Sequence, residues 1–148
     1  MKKHGFTLLE LVVVIIILGI LGTLGTQQYF RMIERSRGAE ARTIIGQIRS
    51  MAAGHLMAHY NLDDFEDDQA GIGSGEDQIP SVCRSTYYFK YNITSSEGKN
   101  LTITAFRCEG AAGKSPGVAT ASNYNLTLKT DFSKTGSDEW KSNPKGMY

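Results

Sequence analysis

The chain has 148 residues, enough for one domain, and its 16 basic and 15 acidic residues give a formal net charge of +1. This balance does not indicate nucleic acid as an obligate partner. No nucleophile–base pair, phosphate-binding loop or metal-ligand cluster stands out in the sequence, so we predict no enzymatic activity, no cofactor and no metal.

The chain begins with a short basic leader that is followed by a long apolar run. Residues 1–5 end in Gly5, and Phe6–Thr26 carries one charged residue, Glu10, near its start. About twenty residues at 1.5 Å per residue span the roughly 30 Å hydrocarbon core of a bilayer. A cleaved secretory signal would be shorter and would lack the carboxylate. We therefore predict a membrane helix in which Glu10, a costly group in lipid, has a functional role.

The residues from Gly5 to Glu10 resemble the N-terminal signal of type IV pilins and of the related pseudopilins of type II secretion. The resemblance extends over about Lys3–Met51. It implies that a prepilin peptidase cuts between Gly5 and Phe6 and that the new amino group of Phe6 is methylated. It also implies a single-pass inner-membrane precursor, with a cytoplasmic N-terminus, that becomes part of an extracellular pilus.

The resemblance implies a structural function, in which the chain is a subunit of a type IV pilus and polymerises with copies of itself through its N-terminal helix. Its other partners would be the prepilin peptidase, an inner-membrane assembly platform with its ATPase, minor pilins and, before assembly, the membrane. A type II secretion pseudopilin is one alternative. A competence-type pilin that binds DNA is another, and roles in adhesion or motility stay open. The lysines that could contact nucleic acid are scattered among acidic residues: Lys90, Lys99, Lys129, Lys134, Lys141 and Lys145.

Glu10 lies one helical turn after Phe6, whose amino group becomes an ammonium after cleavage. A carboxylate and an ammonium are each costly in lipid, but they are tolerated when they are paired. The resemblance implies that Glu10 pairs with Phe6 of a neighbouring subunit and so sets the register of assembly. A pair with Phe6 of the same chain is the alternative.

Three glycines, Gly19, Gly22 and Gly25, recur at every third residue of the apolar run, and each costs about 1 kcal/mol relative to Ala in a helix. They could allow close helix packing or a local loss of helical structure. The helices of type IV pilins often unwind in this region next to a Pro, but this run has no Pro. We predict helix flexibility at the three glycines, and a straight helix that tolerates small residues is the alternative.

Apolar residues continue at helical spacing beyond the membrane run: Ile33, Ala41, Ile44, Ile48, Ala52 and Leu56. This stripe predicts one continuous helix over about Phe6–Tyr60. His55 and His59 have a spacing that can hold a metal, but the residues between them do not match the zinc-protease pattern. Packing on the helix face or exposure to solvent is therefore the favoured interpretation of these two side chains.

Residues 61–82 contain seven acidic residues and no basic residue, and glycines interrupt them. This composition predicts a solvated loop. Calcium binding is an alternative, although the spacing does not match an EF-hand. Another alternative is contact, in a filament, between this loop and the arginine-rich helix section Arg31–Arg49 of a neighbouring subunit, which would make the filament sensitive to salt.

Alternating apolar residues predict three strands, over Thr86–Thr94, Leu101–Arg107 and Asn123–Lys129. A loop at Ser95–Gly98 would close the first hairpin with Tyr91 opposite Leu101, and Trp140 would anchor the tail. The predicted fold class is α+β: a long N-terminal α-helix with a three- to four-stranded antiparallel sheet packed on its C-terminal half. The predicted organisation is a leader at 1–5, a membrane or filament-core helix at 6–30, a domain helix at 31–60, an acidic loop at 61–82, and a sheet with tail at 83–148.

The two cysteines, Cys83 and Cys108, predict one disulfide, because an even cysteine count in an exported protein indicates pairing. The predicted hairpin places them at its open end, one residue out of opposition, so a slight bulge would allow the bond. Closing this loop would contribute about 3 kcal/mol in the chain-entropy model. Two buried free thiols are the alternative. In the resembling families, major pseudopilins usually lack this disulfide and carry a calcium loop near the C-terminus.

Overall fold

The computed structural model describes residues 7–110, 112–114 and 124–143, so Gly5 and Phe6 lie outside the described residues. The chain divides into two compact units, Met1–Glu34 and Arg35–Tyr148. The elements in chain order are α1 (Leu8–His59), β1 (Ile72–Gly73), β2 (Ile79–Pro80), β3 (Phe89–Glu97), β4 (Asn100–Arg107), β5 (Asn125–Asp131) and β6 (Glu139–Asn143). One long helix and a four-stranded antiparallel sheet confirm the predicted α+β class.

The first unit contains the apolar start of α1. Its large apolar side chains are exposed, from 37% at Val12 to 81% at Leu8, and α1 is the one helix in the described residues that is long and apolar enough to cross a membrane. The helix is continuous through Gly19, Gly22 and Gly25, and apart from the neighbouring residues and the local helix backbone no atom lies within 4 Å of where a Cβ would sit on any of them. Flexibility at these glycines stays a prediction.

The second unit buries one face of α1 against the sheet. The helix side chains that pack in this core include Ala41, Ile45, Ile48 and Ala52, which are fully buried. Each fully buried Ile or Leu side chain contributes about 1.5–3 kcal/mol through removal of its apolar surface from water. Of the predicted stripe, Ala41, Ile44, Ile48 and Ala52 belong to this core and Leu56 packs against it, whereas Ile33 lies outside it and Ile45 is an addition.

The other half of this core comes from the inward face of the sheet. Its fully buried side chains are Phe89, Tyr91, Leu101, Ile103, Ala105, Leu126 and Leu128. The sheet order is β3-β4-β5-β6, and every neighbouring pair is antiparallel. Trp140 lies in β6 opposite Leu128 and packs on the edge of the core, so the fourth strand forms from the region predicted to anchor the tail.

The predicted register of the first hairpin is wrong by four residues. Tyr91 lies opposite Ala105 instead of Leu101, because the turn consists of Gly98 and Lys99 and the residues before Gly98 belong to β3. Gly98 adopts a φ of 58°, the left-handed conformation that a tight turn requires. A shift by an even number keeps every side chain on its predicted face, so the core residues are the predicted ones. A bulge between Ile93 and Ser95 further offsets the end of β3.

The predicted first strand begins three residues too early. The backbone N–H of Tyr88 donates to Glu40 Oε1 on α1 at 2.8 Å, and the carbonyl of Tyr88 accepts from the N–H of Cys108 at 2.9 Å. These contacts turn the chain before β3, which starts at Phe89. The segment in front of β3 is thus held by the helix as well as by the sheet.

The predicted disulfide is present between Cys83 and Cys108, whose Cα atoms are 5.6 Å apart. The predicted position of the two cysteines at the open end of the hairpin is wrong, because in the observed register Arg107 pairs with Phe89 and Cys83 lies well before β3. The bond closes a non-strand segment, residues 83–88, onto the end of β4. No bulge at the open end of the hairpin is needed for it.

The acidic segment is packed against the sheet instead of being a fully solvated loop. Four of its apolar side chains are buried: Leu62, Phe65, Ala70 and Ile72. Asp63 Oδ1 accepts from the N–H of Gly98 and Asp67 Oδ1 accepts from the N–H of Ile93, each at 2.7 Å. Because β3 is an edge strand, these carboxylates occupy backbone donors that would otherwise lie open. The segment also forms the short parallel pair β1–β2.

Candidate functional site

Thr7 and Glu10 form a capping box at the start of α1. The N–H of Thr7 donates to Glu10 Oε2 at 2.9 Å, and its hydroxyl donates to the same oxygen at 2.8 Å. The N–H of Glu10 in turn lies 3.3 Å from the hydroxyl oxygen of Thr7. Reciprocal bonds of this kind satisfy two backbone donors that the first turn of a helix leaves without partners. Glu10 therefore has a structural role in the helix start as well as its predicted role in assembly.

The capping box leaves part of the Glu10 carboxylate available. Among the described residues, Oε1 of Glu10 has no hydrogen-bond partner, while Oε2 is held by Thr7. A carboxylate can accept at both oxygens, so Oε1 can receive a cation while the cap stays intact. Phe6 lies outside the described residues, and both predicted pairings, with its own chain or with a neighbour, stay open.

Thr7 is the site residue that the sequence interpretation missed. Its signal was present, because Thr7-Leu-Leu-Glu10 ahead of an apolar run matches the Ser/Thr-x-x-Glu pattern of a capping box. The structure adds that the rotamer of this carboxylate is fixed by its own first turn.

The described side chains around Glu10 are apolar and exposed. Glu10 is the single charged residue of the described run from Thr7 to Thr26, and its neighbours Leu8, Leu9 and Leu11 are more than half exposed. A surface of this size and character indicates contact with a membrane or with other subunits. The site is thus one acceptor group on an otherwise apolar, capped helix end.

A second cluster surrounds Tyr88, next to the disulfide. Arg37, Arg107 and Lys114 each place a cationic group 4.7–5.3 Å from the centre of the Tyr88 ring. Arg107 is almost fully buried, and its guanidinium also donates to the carbonyl of Tyr88 at 3.0 Å. Cations over aromatic faces stabilise such contacts. The cluster ties α1, the segment before β3 and the end of β4 together, which is a structural role.

Three of the five arginines in the helix section make contacts in their own domain. Besides Arg37, Arg42 lies 5.1 Å from the ring centre of Trp140, and Arg49 pairs with Asp138 at 3.0 Å. The predicted contact between these arginines and the acidic segment of a neighbour would therefore have to compete with contacts that already exist.

His55 and His59 stack on one another, with ring centres 4.3 Å apart, and His55 also packs against Phe65. This agrees with the favoured packing interpretation. Among the described residues, no group of three or more His, Cys, Asp or Glu side chains could hold a metal ion.

The buried hydroxyl of Tyr91 is an exception to the polar pairing of this domain. The side chain is 1% exposed, and its OH has no hydrogen-bond partner among the described residues. Burial, together with the nearby charge of Glu40, raises the pKa of Tyr91 above its ordinary value, so the side chain is neutral.

Comparison with known proteins bears on the N-terminus alone. The family model described as the prokaryotic N-terminal methylation motif matches residues 1–26. No curated protein matches the chain. The motif places Gly5, Phe6, Thr7 and Glu10 in one recognised signal, and the fold behind it has the helix-and-sheet layout of type IV pilins. The chain therefore carries the type IV pilin and pseudopilin signature at residues 1–26, and this signature supports a protein of the pilin or pseudopilin type.

Proposed function

We propose that this chain is the structural subunit of a type IV pilus. In this proposal the prepilin peptidase cuts between Gly5 and Phe6, the amino group of Phe6 is methylated, and the subunits polymerise through the first part of α1. The observation that carries the proposal is a capped apolar helix that begins within the methylation motif and has one available carboxylate, that of Glu10.

The exposed apolar surface of the first part of α1 suits both a membrane and the core of a filament. Before assembly, the helix would anchor a single-pass precursor in the inner membrane with its N-terminus in the cytoplasm. After assembly, the same surface would be buried between helices, where each enclosed Leu, Ile or Val contributes about 1.5–3 kcal/mol relative to water. The partners implied by the signature are the peptidase, the assembly platform with its ATPase and the minor pilins.

The disulfide supports a pilus over a secretion pseudopilus. Cys83–Cys108 fixes the segment before β3, and the resembling pseudopilins usually lack such a bond. A filament exposed outside the cell also gains from a covalent closure that resists unfolding.

The test uses the full chain in a prokaryote that supplies a prepilin peptidase and a pilus assembly system. Mass spectrometry of the purified protein should show a mature N-terminus at Phe6 that carries one methyl group. Electron microscopy of the sheared surface fraction should show filaments that an antibody to the chain labels. Replacement of Gly5 by Val should abolish both cleavage and filaments, while Gly54→Ala, at an exposed helix position with open space around it, should change neither.

If the chain is processed but never forms surface filaments, the proposal that it is a pilus subunit is contradicted. If deletion of the gene in its own cells also stopped export of other proteins, the pseudopilin alternative would replace it.

A further inference from the structure

The edge of the sheet at β3 is covered by the chain that precedes β1. The carbonyl of Tyr88 accepts from the N–H of Cys108 at 2.9 Å, which directs the backbone groups of Tyr88, and of every second residue after it, towards β4. The N–H of Ile93 therefore points away from β4, and it donates to Asp67 Oδ1 at 2.7 Å. A side-chain oxygen thus takes the place of the main-chain carbonyl that a further strand would supply.

Further contacts hold residues 62–71, which we call the covering segment, against the end of β3. The N–H of Gly98 donates to Asp63 Oδ1 at 2.7 Å. The carbonyl of Gly98 accepts from the N–H of Leu62 at 2.8 Å. Leu62 and Phe65 are buried in the core, so the covering segment is anchored on the domain as well as on the edge.

Both edges of the four-stranded sheet have features that oppose pairing with another chain. β3 has nine residues and is the longest of the described strands, so an open β3 edge would offer a long template. A bulge between Ile93 and Ser95 interrupts its regular pattern, and the acidic covering segment lies against it. At the other edge, β6 has five residues and carries Glu139 and Lys141, and short charged edge strands resist pairing.

We propose that the covering segment prevents the β3 edge from pairing with the β3 edge of a second copy of this chain. Two identical edges related by a two-fold axis pair antiparallel, so a second copy fits this edge without any change in the strand. Asp67 occupies a donor that such pairing would use, and Asp63 holds the turn that follows the strand. The covering segment is thus an autoinhibitory contact that keeps the domain monomeric at its sheet edge, in a pilin and in a pseudopilin alike.

Removal of both carboxylate acceptors tests the proposal in the full chain in detergent. The alanine variant carries Asp63→Ala and Asp67→Ala. It frees the N–H groups of Ile93 and Gly98, whose hydrogen exchange at low protein concentration should become about tenfold faster. At high protein concentration the variant should sediment as a larger species than the wild type. The N–H of Ile93 should then regain its protection, because the second β3 strand accepts from it.

Two matched variants separate the loss of the acceptor from the loss of charge. Asp63→Asn together with Asp67→Asn keeps a side-chain oxygen in each place and should behave like the wild type. Asp64→Ala together with Asp68→Ala removes two exposed carboxylates from the same segment and should leave the exchange of Ile93 unchanged.

Three results for the alanine variant would overturn the proposal: unchanged exchange of Ile93, faster exchange without association, or association that leaves Ile93 unprotected. Non-reducing gels show whether this variant forms its disulfide. If it does not, the wild type decides the question in urea below its unfolding midpoint. The N–H groups of Ile93 and Gly98 should exchange there through one shared opening while that of Ile103 stays protected, and dimers should appear in the same range. Exchange of Ile93 only together with Ile103, or no dimer in that range, would count against the proposal equally.

Discussion

At the scale of single residues, the start of α1 combines two functions in Glu10. Thr7 fixes one carboxylate oxygen through the capping box, and the other oxygen is available for a cation. Cap and charge can be separated experimentally, because Gln at this position keeps an oxygen acceptor for the cap and removes the charge.

We predict that Glu10→Ala lowers filament yield while leaving export and folding intact, and that Glu10→Gln behaves like Glu10→Ala because the missing charge is the cause. Thr7→Ala should cost about 1 kcal/mol of helix-end stability and lower the yield less, while Thr7→Ser should keep it. Immunogold counts of filaments per cell measure the yield, and the disulfide gel shift reports folding. Wild-type yield from Glu10→Gln would assign the role of this residue to the cap alone.

Tyr91 carries a prediction about stability. Its buried hydroxyl lacks a partner among the described residues, and an unsatisfied buried polar group costs about 1–3 kcal/mol. Tyr91→Phe removes that group and keeps the ring, so it should raise the free energy of unfolding by about 1 kcal/mol. Urea unfolding of the full chain in detergent, followed by near-ultraviolet circular dichroism, measures the change. The more exposed Tyr87→Phe is the matched control, and a clear destabilisation by Tyr91→Phe would show that the hydroxyl is satisfied.

At the scale of elements, the sequence predicted what periodicity determines and missed what depends on tertiary contacts. The helix was predicted over Phe6–Tyr60 and is found over Leu8–His59, because a long apolar stripe identifies one face. The predicted inward faces of the strands are correct, but the alternation of apolar and polar residues cannot distinguish registers that differ by an even number of residues. The packing of the acidic segment depends on Asp67 reaching the backbone of β3 and Asp63 reaching the turn that follows it, and no local pattern shows these contacts.

At the scale of elements, the disulfide leads to a prediction about the free energy of unfolding. It joins residues 25 apart, so its loss should lower the free energy of unfolding by about 3 kcal/mol in the chain-entropy model. Replacement of Cys83 and Cys108 together by Ser avoids a leftover thiol. Urea unfolding of the full chain in detergent should show the double variant and the reduced wild type with the same lowered midpoint. Equal stability of the oxidised wild type and the double variant would show that the Tyr88 contacts hold residues 83–88 without the bond.

At the scale of the whole molecule, the chain separates two kinds of surface. The first unit displays exposed apolar side chains, with Glu10 as the single charged residue from Thr7 to Thr26, and the second unit buries its apolar side chains between α1 and the sheet. After cleavage at Gly5, 14 basic and 15 acidic residues remain, so the net charge of the mature chain is close to zero, although residues 61–82 are locally acidic. The sequence predicted the motif and the apolar surface, since both are local in the chain.

The division into units predicts that the second unit folds without the first. Every residue of its hydrophobic core lies between Ala41 and Leu128, and the disulfide lies within the same range. The exposed apolar residues Leu8–Leu24 are absent from a protein that begins at Arg35. Such a protein should be soluble without detergent, form the disulfide, elute as a monomer in size-exclusion chromatography and unfold in one cooperative transition. It should not enter filaments when expressed beside the wild type, because it lacks the capped helix. Aggregation of an oxidised domain would show that residues 7–34 contribute to its stability, and incorporation into filaments would show that the domains alone carry the assembly contacts.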